Sequence, residues 1–488
     1  MRRSIPLWIA LVGCSSTSEP PPVVEASPCQ DPPAALSPYS TRCGHVVDAQ
    51  GRVVIHRGIN ARVAGLFDVD LGPGKVPLME VPTLPDEDLV RMRRIGFDLV
   101  RLPLNWSAIE PTDTDPPTYD AAYLDRVVAF VAAAERADVR VLLDFHQDAY
   151  SKYIGQDGAP LWAIQPPPDK LLEGPLTDLS SRITSAQVQR AFVTFFDPAN
   201  PTGAKLRARF ASMAAAVAQK VAGRATVVGI DLYNEPVASE AQLRPFYEQV
   251  GAAIRKVDPG RLIYVESPGI RNLFDKVSPP SAPLSLPGVV YAPHVYTKVF
   301  TTGCDLACRN DFTIDTLRPS NESARLEADG YRAPLFVGEY GYDPNARFTD
   351  YVGMQLALQD EFQASSAFWV WKESSEGSWG FWDKTATGWT ERPAIRKPFA
   401  RVLARLFGAW PKRFAWDAGA RRFTAELVGD ARIKGPTVVH VPLPEDLPGT
   451  VRATCDGVAL SATPDARGDL SLECAGAGAH TLTVEIVP

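Results

Sequence analysis

Two short motifs set an acid at the end of an apolar run. In VVGIDLYNEP, residues 227–236, a β-branched stretch closes on Asn234 and Glu235 with a proline behind them, and in PLFVGEYG, residues 334–341, a second stretch carries Glu339. Two facing carboxyls suit cleavage of a glycosidic bond. One, protonated, gives its proton to the departing oxygen, and the other, ionised, attacks the anomeric carbon. Desolvation and nearby negative charge keep the first protonated, whereas a cationic donor keeps the second ionised. Arg101, in FDLVRLPLN, is the candidate donor. Glu266 in YVESPG and Glu373 in FWVWKE are the rival carboxyls, each also readable as half of a structural ion pair.

Such a pair needs a scaffold that brings distant chain segments together. Eight apolar runs recur along the chain, at 53–60, 97–105, 139–148, 227–236, 261–269, 288–296, 334–341 and 366–373. Segments between them, among them AAYLDRVVAFVAAAERAD and EAQLRPFYEQVGAAIRKVD, repeat apolar residues at three and four, the helical period. Continuous apolar runs belong to strands covered on both faces, so the pattern predicts an α/β fold, a (β/α)8 TIM barrel over 39–407. PAIRKPFARVLARLFGAW is expected to supply the eighth helix. From 408 to 488 the period falls to two, predicting a small antiparallel β-sandwich. Barrels place chemistry at the carboxyl ends of their strands, where this chain carries Arg101, His146, Asn234, Glu235, His294, Tyr296, Glu339 and Trp371. The fourth and seventh strands oppose one another across the mouth, so Glu235 and Glu339 are expected to meet.

The motifs RLPLNW, DFHQDAYS, NEP, HVY, GEYG and FWVWKE, in this order over about residues 40–407, resemble glycoside hydrolase family 5 of clan A. Within it the chain is most similar to endoglycoceramidase-like members, whose trailing β-sandwich it shares. The resemblance implies a retaining, endo-acting β-glycosidase with Glu235 as general acid/base and Glu339 as nucleophile. It implies Asn234 on the sugar 2-hydroxyl, Arg101 and Tyr296 on Glu339, His294 beside Glu235, His146 on sugar hydroxyls and Trp371 as the platform under the ring. Trp369 replaces Trp371 if strand alternation is offset by one residue, and is otherwise core. Trp162, Trp379, Phe381, Trp382 and Trp389 fall in long segments after the third and eighth runs and could form an apolar rim for a lipid aglycone. The implied substrate is a glycolipid or oligosaccharide; a cellulase-like β-glucan hydrolase and a non-catalytic glycan-binding lipoprotein are the alternatives. No cofactor and no metal is expected, since no zincin helix, phosphate-cradling loop or paired-histidine strand occurs.

The ends of the chain speak to location. MRRSIPLWIALVGC reads as an export signal over 1–14 whose Cys14 closes a lipobox, followed by a polar tether over 15–38. The expected product is a monomer anchored to an envelope membrane through acylated Cys14, or secreted. The other six cysteines fall into local couples, Cys29 with Cys43, Cys304 with Cys308 and Cys455 with Cys474, and export favours disulfides. A formal net charge of -7 without a basic cluster argues against a nucleic-acid partner.

Overall fold

The computed structural model describes Cys29, Asp31 and residues 38–343, 345–373, 379–474 and 478–488. The expected signal, Cys14 and nearly all of the 15–38 tether lie outside these residues. Eight parallel strands form the central sheet: β1 (Arg57–Asn60), β2 (Leu99–Leu104), β3 (Arg140–Phe145), β4 (Val227–Asp231), β5 (Leu262–Val265), β6 (Val289–Tyr291), β7 (Phe336–Tyr340) and β8 (Ser365–Phe368). They neighbour one another in chain order, and β8 pairs back onto β1. A bridge between Tyr291 and Leu335 closes the ring from β6 to β7. This is a TIM barrel, as the eight runs predict.

Helices return the chain outside the strands, and their ends follow local chemistry. Asn200 caps Pro201–Val221 by accepting from the amides of Thr202 and Gly203, with Pro201 at the first turn. Asp120 does the same for Ala121–Arg136, accepting from the amide of Tyr123 at 2.7 Å. No helix among the described residues is long and apolar enough to cross a membrane.

Two antiparallel sheets pack together beneath the barrel. One holds Trp410–Asp417, Arg422–Gly429, Gly478–Val487, Thr450–Cys455 and Val458–Leu460. The other is built from both ends of the chain, aligning Tyr39–Arg42, His45–Asp48 and Val53–Val54 with Leu403–Phe407, Thr437–His440 and Asp469–Leu472. They share a core that includes Val53, Phe407, Phe414, Phe423, Val439 and Leu482. The opposite face of the second sheet, through Tyr39, Val46 and Val54, packs on the lower strand ends at Leu99, Leu142, Val228, Leu262 and Phe336.

Three expectations are corrected here. The run 53–60 is two strands, because Val53–Val54 pairs with Leu406 and Phe407 while only Arg57–Asn60 enters the barrel. The sandwich therefore recruits residues 39–54 and 403–407, which were expected in the barrel. The eighth helix shrinks to Pro393–Arg396 and a 3-10 turn at Lys397–Phe399. Pro398 supplies no amide hydrogen to a helix, and the residues after it find antiparallel partners instead. The structure joins Cys29 to Cys43, Cys304 to Cys308 and Cys455 to Cys474.

Candidate active site

The upper layer of the barrel interior is charged. Strand register sets Asn60 beside Arg101 and Asp144 beside Asp231. Arg101 is fully buried and its guanidinium reaches several acids at once. Nε and Nη2 donate to Asp231 Oδ2 at 3.1 and 3.0 Å, Nη2 donates to Glu266 Oε1 at 2.8 Å and lies 3.1 Å from Asp144 Oδ1, and Nη1 donates to Glu339 Oε1 at 2.8 Å. Nη2 also donates to Asn234 Oδ1 at 3.0 Å. An isolated buried guanidinium would be costly; the surrounding carboxylates outweigh burial and hold its proton more tightly than usual. It lies against Asp144, Asp231 and Glu266, whose oxygens lie within 4.8 Å of one another.

Above this layer the expected glutamates come together: an oxygen of Glu235 and one of Glu339 lie within 4.8 Å of each other, and His294 joins both. His294 Nδ1 is 2.7 Å from Glu235 Oε1 and 3.5 Å from Glu339 Oε2, while Nε2 is 3.2 Å from Glu266 Oε1. Burial pulls its pKa down, yet Glu266 and Glu339 drive it well above the usual histidine range, so the imidazole is a cation among three acids. Gly338 makes room for it, since a Cβ there would stand 3.0 Å from the ring.

The two glutamates differ in their surroundings. Glu339 is nearly buried and is held at both oxygens, Oε1 by Arg101 and Oε2 by the Tyr296 hydroxyl at 2.9 Å. Burial pushes its carboxyl above the ordinary range, opposed by His294 and Arg101. Glu235 has a side chain 29 % exposed and accepts from Asn272 Nδ2 at 2.6 Å. Its backbone takes φ 42°, and Gln147 Nε2 pins the turn by donating to the carbonyls of Asn234 (2.7 Å) and Glu235 (3.2 Å). Its amide donates to Glu266 Oε2 at 2.9 Å. Gly269 packs under this turn, where a Cβ would come within 2.9 Å of the Glu235 carbonyl. Glu266 thus has both oxygens engaged and is 2 % exposed, which leaves it no surface for a substrate. Glu373 lies apart, ion-paired with Arg62 at 2.6 Å.

His146 sits at the end of β3 with Nδ1 2.6 Å from Asp144 Oδ2, and its ring stacks on Trp369 at 5.8 Å. Arg62 covers the Trp369 ring at 4.7 Å. Trp371, expected under the sugar, is instead fully buried and stacks on Phe381 and against Trp382. The strand ends at Phe368, so period-two alternation cannot be carried on to residue 371. Trp369 takes the place beside the site. Of the proposed rim, Phe381 is core, whereas Trp379 stacks on Phe300 and leans on Tyr296. After β1, Asp68 accepts from Lys152 Nζ at 2.8 Å and from Ser107 Oγ at 2.6 Å, contacts that sequence reasoning missed. Asp144 and Asp231 were also missed, although an acid inside each of two otherwise apolar runs signals a buried charge that needs a partner.

A barrel with two glutamates facing one another from the ends of its fourth and seventh strands has the architecture of a glycoside hydrolase. The comparisons sharpen the class. Residues 85–375 match the family model Cellulase (glycosyl hydrolase family 5), and the chain belongs to that family. It is 31 % identical over 274 residues to endoglycoceramidase I of Rhodococcus hoagii (strain 103S), an alignment covering 52 % of this chain and 51 % of that protein. The chain thus spans about half the length of this curated relative. Among solved structures, endo-glycoceramidase II from Rhodococcus sp. in its ganglioside GM3 complex superposes with TM-score 0.74 at 26 % identity, covering 91 % of this chain and 99 % of that one. Its lactosyl-enzyme intermediate superposes with TM-score 0.72 at 26 % identity, covering 91 % and 100 %.

Proposed function

We propose that this protein is a retaining, endo-acting β-glycosidase that releases the oligosaccharide of a glycolipid from its lipid aglycone. The observation that carries the reading is the separation of the glutamates, within 4.8 Å between their nearest oxygens. Retaining enzymes hold their carboxyls about 5–5.5 Å apart, and inverting ones need more room for water. The names of the endoglycoceramidase relatives, and the GM3 and lactosyl complexes of one of them, support the substrate class.

Glu339 attacks the anomeric carbon. Arg101 and Tyr296 aim its oxygens and hold its charge. Glu235, the more exposed carboxyl, gives its proton to the leaving oxygen, and the sugar is left esterified to Glu339. Glu235 then takes a proton from water, which displaces Glu339 and restores the anomeric configuration. The His294 cation between the two acids offsets the negative charge that moves from one to the other. Asn234 keeps one amide hydrogen beyond its bond to the Gln147 carbonyl and offers it to the sugar 2-hydroxyl. Trp369 and His146 wall the sugar on the β3 and β8 side.

Incubation with ganglioside GM3 should release an intact oligosaccharide and ceramide. Glu339→Ala should lose turnover and regain it with azide as an α-glycosyl azide. Cleavage of cellodextrins with GM3 untouched would instead make it a β-glucan hydrolase. We further propose export and anchoring of a monomer through acylated Cys14, supported by the lipobox and by three disulfides. Mass spectrometry of the mature N-terminus for a diacylglyceryl cysteine, and light scattering for mass, test this.

A further inference from the structure

The two carboxyl oxygens of Glu235 are held unequally. Oε1 accepts from Asn272 Nδ2 at 2.6 Å and from His294 Nδ1 at 2.7 Å, whereas Oε2 accepts no hydrogen bond among the described residues. Asn272 is half-buried in the short helix Arg271–Phe274 that follows β5. Its neighbour Arg271 is 1 % exposed and fixes that helix, donating from Nε to Glu327 Oε2 at 2.9 Å, from Nη1 to the His294 carbonyl at 2.7 Å and from Nη2 to the Ser320 carbonyl at 2.7 Å. The Gly269 amide donates to the Pro236 carbonyl at 2.9 Å, which ties the start of this segment to the turn that carries Glu235. The Asn272 amide donates in turn to the Gly269 carbonyl at 3.2 Å. Both donors to Oε1 are thus set by one unit, since Arg271 grips the backbone of His294 and the next residue presents the amide. Turned the other way, that amide would set its carbonyl oxygen against an acid oxygen already accepting from His294, so Nδ2 is the atom that faces Glu235.

We propose that Asn272 is a positioning residue for the acid/base: with His294 it fills the lone pairs of Glu235 Oε1, so that the transferred proton resides on Oε2. The proposal rests on the retaining-glycosidase reading of Glu235. Each oxygen of a carboxylate offers about two lone-pair directions, and both of those on Oε1 are taken. In the first half-reaction the Oε2–H bond breaks and its proton goes to the leaving oxygen as the glycosidic bond breaks. In the second an O–H bond of water breaks, its proton goes to Oε2 and its oxygen bonds the anomeric carbon. Leaving oxygen and attacking water therefore meet the same oxygen of Glu235 in turn. A donor to the ionised carboxyl also favours that form, which makes the acid readier to give its proton to a poor leaving group. The alcohol of a lipid aglycone is such a group. The titratable groups facing Glu235 are His294 after β6, Glu339 on β7, Glu266 after β5, which accepts from the Glu235 amide, and Tyr296. Beside them Asn272 keeps the same charge at every pH.

The test uses the full chain with Asn272→Ala and, separately, Asn272→Asp. Rates are compared on an octyl β-lactoside, whose alcohol needs a proton to leave, and a dinitrophenyl β-lactoside, whose phenolate leaves without one; the matching β-cellobiosides serve as a second glycone. On the octyl substrate kcat/KM should fall by about tenfold in both variants, and on the dinitrophenyl substrate by less than about threefold, which also shows that the variants are folded. The alkaline limb of kcat/KM on the octyl substrate follows the acid of the free enzyme. It should move up by about half a pH unit in Asn272→Ala and further in Asn272→Asp, whose added charge opposes ionisation of Glu235. Equal losses on the two leaving groups with the limb in place would make Asn272 a packing residue and overturn the proposal, as would wild-type behaviour of both variants. Glu235→Gln separates the two readings. If it loses the octyl substrate while the Asn272 variants match the wild type, the positioning role alone fails. If Glu235→Gln spares that substrate, or the wild-type chain is inert toward both glycones, the glycosidase reading of Glu235 fails and takes the positioning role with it.

Discussion

The two poles of the barrel both bury charge, and they bury it in opposite proportion. At the upper pole Glu235, Glu339, Glu266, Asp144 and Asp231 share Arg101, His146 and His294. At the lower pole, where the sandwich meets the strand starts, Asp98, Asp138 and Asp469 are met by His56, Arg93, Arg140, Arg405 and Arg467. The carboxyls respond accordingly. Burial pushes Glu266 up to about 8 and raises Glu339 and Asp231, because acids outnumber the cations that oppose it. Below, Asp98 lies far under the usual range: burial would raise it, but His56 and Arg405 overcome that. A cavity of about 270 Å³ lies among these lower groups and not at the glutamates. Excess acid holds buried carboxyls above their ordinary range, and acids met by a surplus of cations make a joint.

The sharpest break in the comparison is at the glutamates. Glu339→Ala and Glu235→Gln should each lower kcat on GM3 by about a thousandfold or more and leave the melting temperature near that of the wild type. Substitution below should do the reverse. Asp469 holds Arg93 and Arg405 together, and Asp469→Asn leaves them only their longer pairs, Arg93 with Asp138 and Arg405 with Asp98, both at 3.4 Å. Roughly 3 kcal/mol of unfolding free energy should be lost in urea titration, with kcat/KM on a soluble aryl glycoside unchanged. A fall in activity comparable with that of the glutamate variants would erase the distinction between the poles.

A third substitution tests how the upper pole is set. His294 lowers the Glu339 pKa against the burial that raises it. His294→Asn removes that cation, so Glu339 should need a higher pH to ionise. The acid limb of kcat/KM, which follows the nucleophile of the free enzyme, should move up by about one pH unit. A purely structural role for the ring would lower kcat without moving the limb.

How far this was legible in the sequence follows the same division. Asn234, Glu235, His294, Tyr296 and Glu339 were readable because each stands near or just past a strand end, and Arg101, expected at such an end, lies instead inside β2 and was readable as a charge within an apolar run. Eight apolar runs made the barrel readable as well. The joint below was not, because it is made by pairing between chain ends: nothing local in Val53–Val54 or Leu403–Phe407 names the other as its partner. Helical periodicity over 393–410 was overridden by that pairing once Pro398 had stopped the helix. Trp371 failed for a different reason, since alternation is a rule for strands and the strand had already ended.

The smallest expected effect separates the poles by the slope of stability with pH. Burial raises Glu266 to about 8, so in the folded protein it keeps its proton where the unfolded chain has lost one. Its contribution is full below the ordinary glutamate range and is lost as pH rises through about 8. Asp469 behaves oppositely. Burial would raise it, but His440, Arg405 and Arg93 draw it down to about 2. Its contribution is present above the ordinary aspartate range and is lost as pH falls toward about 2. Unfolding free energy measured in urea should therefore decline on both sides of a mildly acidic maximum, each side through a different pole. Glu266→Gln should flatten the alkaline decline by on the order of 1 kcal/mol and spare the acid one, and Asp469→Asn should flatten the acid decline alone. If either substitution flattened both, the two networks would be coupled through the barrel, and the excess acid above could not be treated as independent of the surplus of cations below.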